Sequence, residues 1–173
     1  MDKIRYPIGQ FNMAEDVGME DLITQLENLP RQLEKAFRDL SIEQLNSSYR
    51  EGGWTIRQVV HHIADCYINY YIRIKFAITE DNPIIKPFQQ ELWAELADAK
   101  TLPVEISLKL MESLNIRLVT LIRSLSPDEL NRKFCHPVTG DFSIIKAIGF
   151  NAWHGYHHLA HILNYRKSIG LEV

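Results

Sequence analysis

Apolar side chains recur at helical spacing in four long stretches of the chain. The first runs from about Met19 to Leu40 through Leu22, Ile23, Leu26, Leu29, Leu33 and Phe37. Pro30 lies inside it and is expected to kink or split the helix, because proline lacks the N–H that its turn requires. Ser41 and Gln44 then have the spacing of a capping box that opens one short turn. After the turn signal Gly52-Gly53, Thr55 and Gln58 predict a second capped helix reaching about Thr79, stopped by Asp81-Asn82-Pro83. Residues 83–102 read as a connection with a short helix around 90–99. A third long helix is predicted over about Val104 to Leu125, followed by Ser126-Pro127, a cap with proline at the first helical position. Residues 133–142 read as a loop or a small hairpin. Ser143 caps a fourth long helix that ends near Ser168, with Gly170 just beyond it. Residues 1–17 lack periodicity and are taken as an extended N-terminal arm. No repeat, low-complexity segment or internal boundary is visible, so residues 1–173 are read as one domain. The pattern predicts an all-α four-helix bundle, with longer connections after helices one and two.

Composition narrows the functional classes. A chain of 173 residues, 46% hydrophobic and 24% charged, can bury a full core. Its formal net charge of -3 offers no basic excess for phosphates, which argues against a nucleic-acid partner. No apolar run approaches the roughly 20 residues of a membrane span. The first residues, Met1 to Pro7, carry no apolar signal segment. Two cysteines, Cys66 and Cys135, do not make a disulfide framework, and a reducing cytoplasm is the expected compartment.

The seven histidines add candidate chemistry. His61 and His62 are adjacent, and His154, His157, His158 and His161 fall within one short stretch. On the second helix, His62 lies roughly 95° from the centre of the apolar stripe and His61 roughly 165° away. His62 is therefore placed at the border of the core and His61 in solvent. On the fourth helix, His158 lies roughly 80° and His154 roughly 120° from the stripe centre, with His157 on the opposite side. His154 and His158 stand at i and i+4, where two imidazoles can meet one ion. With His62 from a facing helix they can make a three-histidine set that leaves a fourth metal position open, the pattern of a catalytic zinc site; the alternative is a pair of exposed histidines at helical spacing that holds no metal.

The neighbours are assigned more modestly. His161 is read as an outer partner of a metal-bound ring in preference to a fourth ligand or a surface residue. Asp65 is either such an acceptor or a surface charge. His157 and His61 are expected to be solvated. Cys66 is read as a buried, inert thiol rather than a ligand. Trp54, Trp93 and Trp153 are assigned to the core, as are Tyr67, Tyr70 and Tyr71, although a phenol near the open position could donate a hydrogen bond. Asp65 and His161 are the candidates for a general base, since there is no His-Glu-x-x-His motif.

With these residues in hand, the sequence resembles the DinB/YfiT-type metal-dependent family. The resemblance rests on the segment from Tyr49 to Asp65 with its Gly-Gly-Trp-Thr turn, on the segment from Trp153 to Ile162, on Tyr6-Pro7-Ile8-Gly9, and on His136-Pro137. It spans nearly the whole chain. One departure is Leu159-Ala160, where broader relatives often carry Arg-Gly. The resemblance implies a four-helix bundle holding nickel or zinc through three histidines, here His62, His154 and His158. It also implies a homodimer and a small-molecule substrate. The activity it implies is metal-dependent hydrolysis, in which the ion acidifies a water. One alternative is a transferase that attaches a low-molecular-weight thiol such as bacillithiol to electrophiles. A second is a metal-binding stress protein without catalysis.

Overall fold

The computed structural model describes residues 3–12 and 17–171. Four long helices dominate it: α1 (Met19–Phe37), α3 (Ile56–Thr79), α6 (Val104–Ser124) and α8 (Ile144–Ser168). Between them lie short helices α2 (Ile42–Leu45), α4 (Gln90–Trp93), α5 (Ala97–Thr101) and α7 (Pro127–Leu130). A hairpin of β1 (Lys133–His136) and β2 (Gly140–Ser143) precedes α8. The fold is the expected four-helix bundle.

The helix starts follow their local chemistry. Ser41, Thr55 and Ser126 each form a reciprocal capping box with Gln44, Gln58 and Glu129, satisfying backbone donors that a helix start leaves unpaired. Ser143 caps α8 through the Lys146 amide. Gly170, with φ +77°, supplies the left-handed residue after its last turn.

Pro30 does not split α1. A proline at position 30 deprives the Leu26 carbonyl of its helical donor. The Asn115 side chain, buried on α6, donates to that carbonyl instead. A neighbouring helix thus repairs the defect that sequence alone predicts to be disruptive.

The helices are not arranged in chain order. α1 packs chiefly on α6 and α8, and α3 packs on the same two. α1 and α3 therefore sit on one diagonal of the bundle, and α6 and α8 on the other. The third connection, 125–143, must also cross a bundle end, and it carries α7 at the predicted Ser126-Pro127 cap and the hairpin that 133–142 suggested. The connection between α3 and α6 holds two short helices in place of the single one expected. It is fastened to α3 by Gln58, whose Nε2 donates to the Ala94 carbonyl at 2.8 Å.

The N-terminal arm is not simply extended. Residues 6–9 turn, with the Gly9 amide donating to the Tyr6 carbonyl, and Phe11 packs edge-on against Phe150 of α8. Residues 1, 2 and 13–16 of the predicted arm lie outside the described residues. Among the described residues, no helix is long and apolar enough to cross a membrane.

Candidate metal centre

α3 and α8 pack along each other, and His62, His154 and His158 project into their interface. All three are almost fully buried. His154 Nε2 stands 3.3 Å from His62 Nε2 and 3.2 Å from His158 Nε2. Nitrogens bound tetrahedrally at about 2.1 Å from one ion would be about 3.4 Å apart, so the spacing fits a single metal. Mutual hydrogen bonding accounts for it poorly. One Nε2 carries at most one proton, yet that of His154 faces two ring nitrogens at once. Burial holds all three rings neutral: His62 is lowered to about 4, and His154 and His158 fall well below the usual imidazole value, helped by mutual repulsion. Neutral imidazoles with converging lone pairs are what a divalent ion requires.

The surroundings orient the set. His158 Nδ1 lies 3.3 Å from His161 Nδ1, and His161 Nε2 lies 3.2 Å from the Arg5 carbonyl. A carbonyl only accepts, so His161 carries its proton on Nε2. Its Nδ1 then accepts from His158 Nδ1–H, leaving His158 Nε2 with a free lone pair. Tyr49 stacks on His161 with ring centroids 4.4 Å apart. Trp54 packs on His62 at 4.6 Å.

Gly155, between the two α8 histidines, packs closely on the rest of the bundle. A Cβ there would stand 2.3 Å from Leu29 Cδ2 and 2.8 Å from Tyr67 Oη, both on buried residues. Gly155→Ala is expected to lose up to about 2 kcal/mol of stability in urea titrations. Overpacking by about 1–3 kcal/mol outweighs the better helix propensity of alanine, about 1 kcal/mol. The same change should weaken metal retention by displacing α8 between its two histidines.

Several neighbours depart from expectation. His61 is buried, not solvated: its Nε2–H donates to the Leu102 carbonyl at 3.1 Å and its Nδ1 faces Ser107 Oγ at 2.7 Å. The helical wheel saw only one apolar stripe, whereas α6 and the connection before it cover the other side of α3. His157 is also buried, stacked on Trp153 at 4.8 Å and covered by Tyr6 of the arm. Tyr67 and Tyr70 are core as expected, with Tyr70 also lining the cleft, and Tyr71 and Trp54 pack against that core; Trp54 and Trp153 line the cleft beside the histidines, and Trp93 is partly exposed against Phe88. Cys66 is buried, and burial pushes its thiol up so that it stays protonated. Its Sγ lies 3.6 Å from His62 Nε2, flanking the three-nitrogen group without joining it.

The histidines open onto a cleft of about 680 Å³. Asp65 does not line it and is half-buried, with its carboxyl raised to about 6 by burial. The carboxylate that does line it is Glu91, on α4, close enough to raise the His62 pKa slightly against burial. Sequence reasoning missed Glu91 because it sits far from every histidine in the chain and carries no motif.

Comparison with known proteins agrees with this fold. The DinB superfamily model matches residues 25–162. The chain belongs to the DinB superfamily. A relative from Bacillus cereus, named "Putative metal-dependent hydrolase", is 50% identical over 172 residues, covering 98% of this chain and 99% of its own. Among solved structures, YfiT from Bacillus subtilis superposes with a TM-score of 0.93 at 38% identity, covering 98% of this chain and 99% of its own. It is described as a probable metal-dependent hydrolase with an unusual four-helix bundle topology. A mycothiol-dependent maleylpyruvate isomerase shares the fold at 18% identity with a TM-score of 0.67, over 88% of this chain and 63% of its own.

Proposed function

We propose that this protein is a metal-dependent hydrolase of small molecules, with His62, His154 and His158 holding one zinc or nickel ion. The observation that carries this reading is the convergence of three neutral Nε2 atoms beside an open cleft. A divalent ion there supplies Lewis acidity, making a nucleophile available at neutral pH. His161 and the Arg5 carbonyl fix the His158 ring so that its Nε2 lone pair stays on the ion side. Trp54, Phe150 and Trp153 give the cleft aromatic walls for the apolar part of a substrate. Glu91, rather than Asp65 or His161, would be the general base: it lines the cleft beside the histidines and would take a proton from the nucleophile there, whereas both His161 nitrogens are engaged.

The test is a panel of ester, amide and lactam substrates run with the zinc- and nickel-loaded protein. Metal-dependent turnover is expected, falling about 10²–10⁴-fold in kcat for Glu91→Gln with metal content unchanged. Absence of turnover across the panel, together with metal-dependent conjugation of a bacillithiol-like thiol to a chlorobimane, would replace hydrolysis by thiol transfer. Absence of both would leave a metal-binding protein without catalysis.

A further inference from the structure

Arg73 lies on α3, eleven residues beyond His62. At about 100° per residue it returns to within about 20° of the same helix face, about 16 Å further along the axis. It is 6% exposed and lines the cleft that the three histidines open onto. Its guanidinium, an obligate cation with five N–H donors, sits over the Tyr70 ring at 5.2 Å. The guanidinium also hydrogen-bonds the Tyr70 side chain, but among the described residues no carboxylate pairs with it, and its buried Nε has no hydrogen-bond partner. A buried cation without a counter-charge is costly, and buried polar groups are ordinarily satisfied. Arg73 is therefore a donor set held ready beside a cleft.

A second donor stands near it. His136, at the end of β1, also lines the cleft. The Val138 and Thr139 amides both donate to its Nδ1, at 3.2 and 3.3 Å. That fixes the tautomer with the proton on Nε2, a neutral donor. The rest of the cleft is biased the same way: Arg5 and Arg50 line it, and Glu91 is its one carboxylate among the described residues.

We propose that Arg73 and His136 form an anion subsite at the far end of the cleft, and that the molecule processed at the three histidines carries a carboxylate held there. This rests on the hydrolase reading for the identity of that molecule, but the subsite itself does not depend on metal. The shared chemistry is a carboxylate remote from the reacting centre, borne either by the molecule hydrolysed or by an anionic thiol.

Calorimetry with glutarate, and with neutral glutaramide as control, tests the subsite directly on the metal-loaded protein and on the His62→Ala variant. Glutarate is expected to bind wild type, at least about 10-fold more weakly to Arg73→Met, and more weakly to His136→Gln. Glutaramide should not distinguish these proteins. The Arg73-dependent part should persist in His62→Ala, so failure of the metal reading would leave it intact. A structural role for Arg73 predicts a lower melting temperature in Arg73→Met. An anion subsite predicts a melting temperature at least equal to wild type, because an uncompensated buried charge has been removed. Two further comparisons separate the sources: 4-nitrophenyl hydrogen glutarate against 4-nitrophenyl butyrate as esters, and N-acetylcysteine against N-acetylcysteamine as thiols. The source is the class in which Arg73→Met lowers kcat/KM for the anionic member about 10–100-fold, mainly through KM, and spares the neutral one. Equal glutarate affinity in wild type and Arg73→Met, or a parallel loss for glutarate and glutaramide, overturns the proposal.

Discussion

His154→Ala is expected to purify without bound metal, where the parent holds about one equivalent of zinc or nickel after reconstitution. His154 is the central member of the group, with its Nε2 facing both of the other ring nitrogens. Removing it leaves two donors that cannot close a three-coordinate set, and affinity should fall by more than the roughly 10–100-fold typical of losing only an outer partner. The stability consequence is large as well. A ligand at a thousand times its dissociation constant stabilises the native state by about 4 kcal/mol. For a chain of this size that is about 8–16 °C in melting temperature. Metal should therefore raise the Tm of the parent by that order and leave His154→Ala unmoved. His61→Ala is the informative control. It deletes an equally buried ring, and it should cost stability through the lost contacts to Leu102 and Ser107 while keeping the metal. Metal retained in His154→Ala, or lost in His61→Ala, would show that the ion sits elsewhere.

Acid is expected to destabilise the metal-free protein well above the carboxylate range. The native fold keeps His62 neutral down to about 4, whereas the unfolded chain protonates it near 6.5. Between these values the unfolded state binds more protons, so stability is constant above about 6.5 and falls as pH drops toward 4. For His62 alone the loss is about 2 kcal/mol at pH 5 and about 3 kcal/mol by pH 4. His154 and His158 act in the same direction, less than additively because each repels the other's charge. Asp65 opposes them. Its native carboxyl is raised to about 6, so it adds stability as pH falls through 6, at most about 1 kcal/mol for a half-exposed group. The histidines outweigh it. Urea titrations of chelated protein at pH 7.5 and pH 5 should show a net loss of a few kcal/mol, enlarged in Asp65→Asn. Bound metal should leave in the same window, since protons compete for the same lone pairs. Equal stability at the two pH values would mean that the rings are not held neutral in the native state.

Burial underlies both results, and it is also where the sequence was least legible. A helical wheel ranks residues against one apolar stripe. That suffices for His62, His154 and His158, which sit at the stripe's border. It fails for His61 and His157, because each helix is covered on more than one side. α6 and the α4–α5 connection close over His61, and the N-terminal arm closes over His157. Trp54 and Trp153 were assigned to the core for the complementary reason. A large aromatic reads as core whether it packs against leucine or against a metal-facing imidazole.

By itself the sequence determined the four long helices, their capped starts and the spacing that brings two imidazoles to one face of α8. These follow from the 3.6-residue period and from side chains bonding to backbone a few positions away, which are local physics. Only the tertiary structure decided which helices lie side by side, and so that His62 meets His154 and not a residue of α1. It also decided that Asn115 makes Pro30 tolerable, that Glu91 rather than Asp65 lines the cleft, and that Arg73 is left without a counter-charge among the described residues. Each of these depends on a partner distant in the chain, and the energy of burying a polar group is set by whatever the packing places beside it.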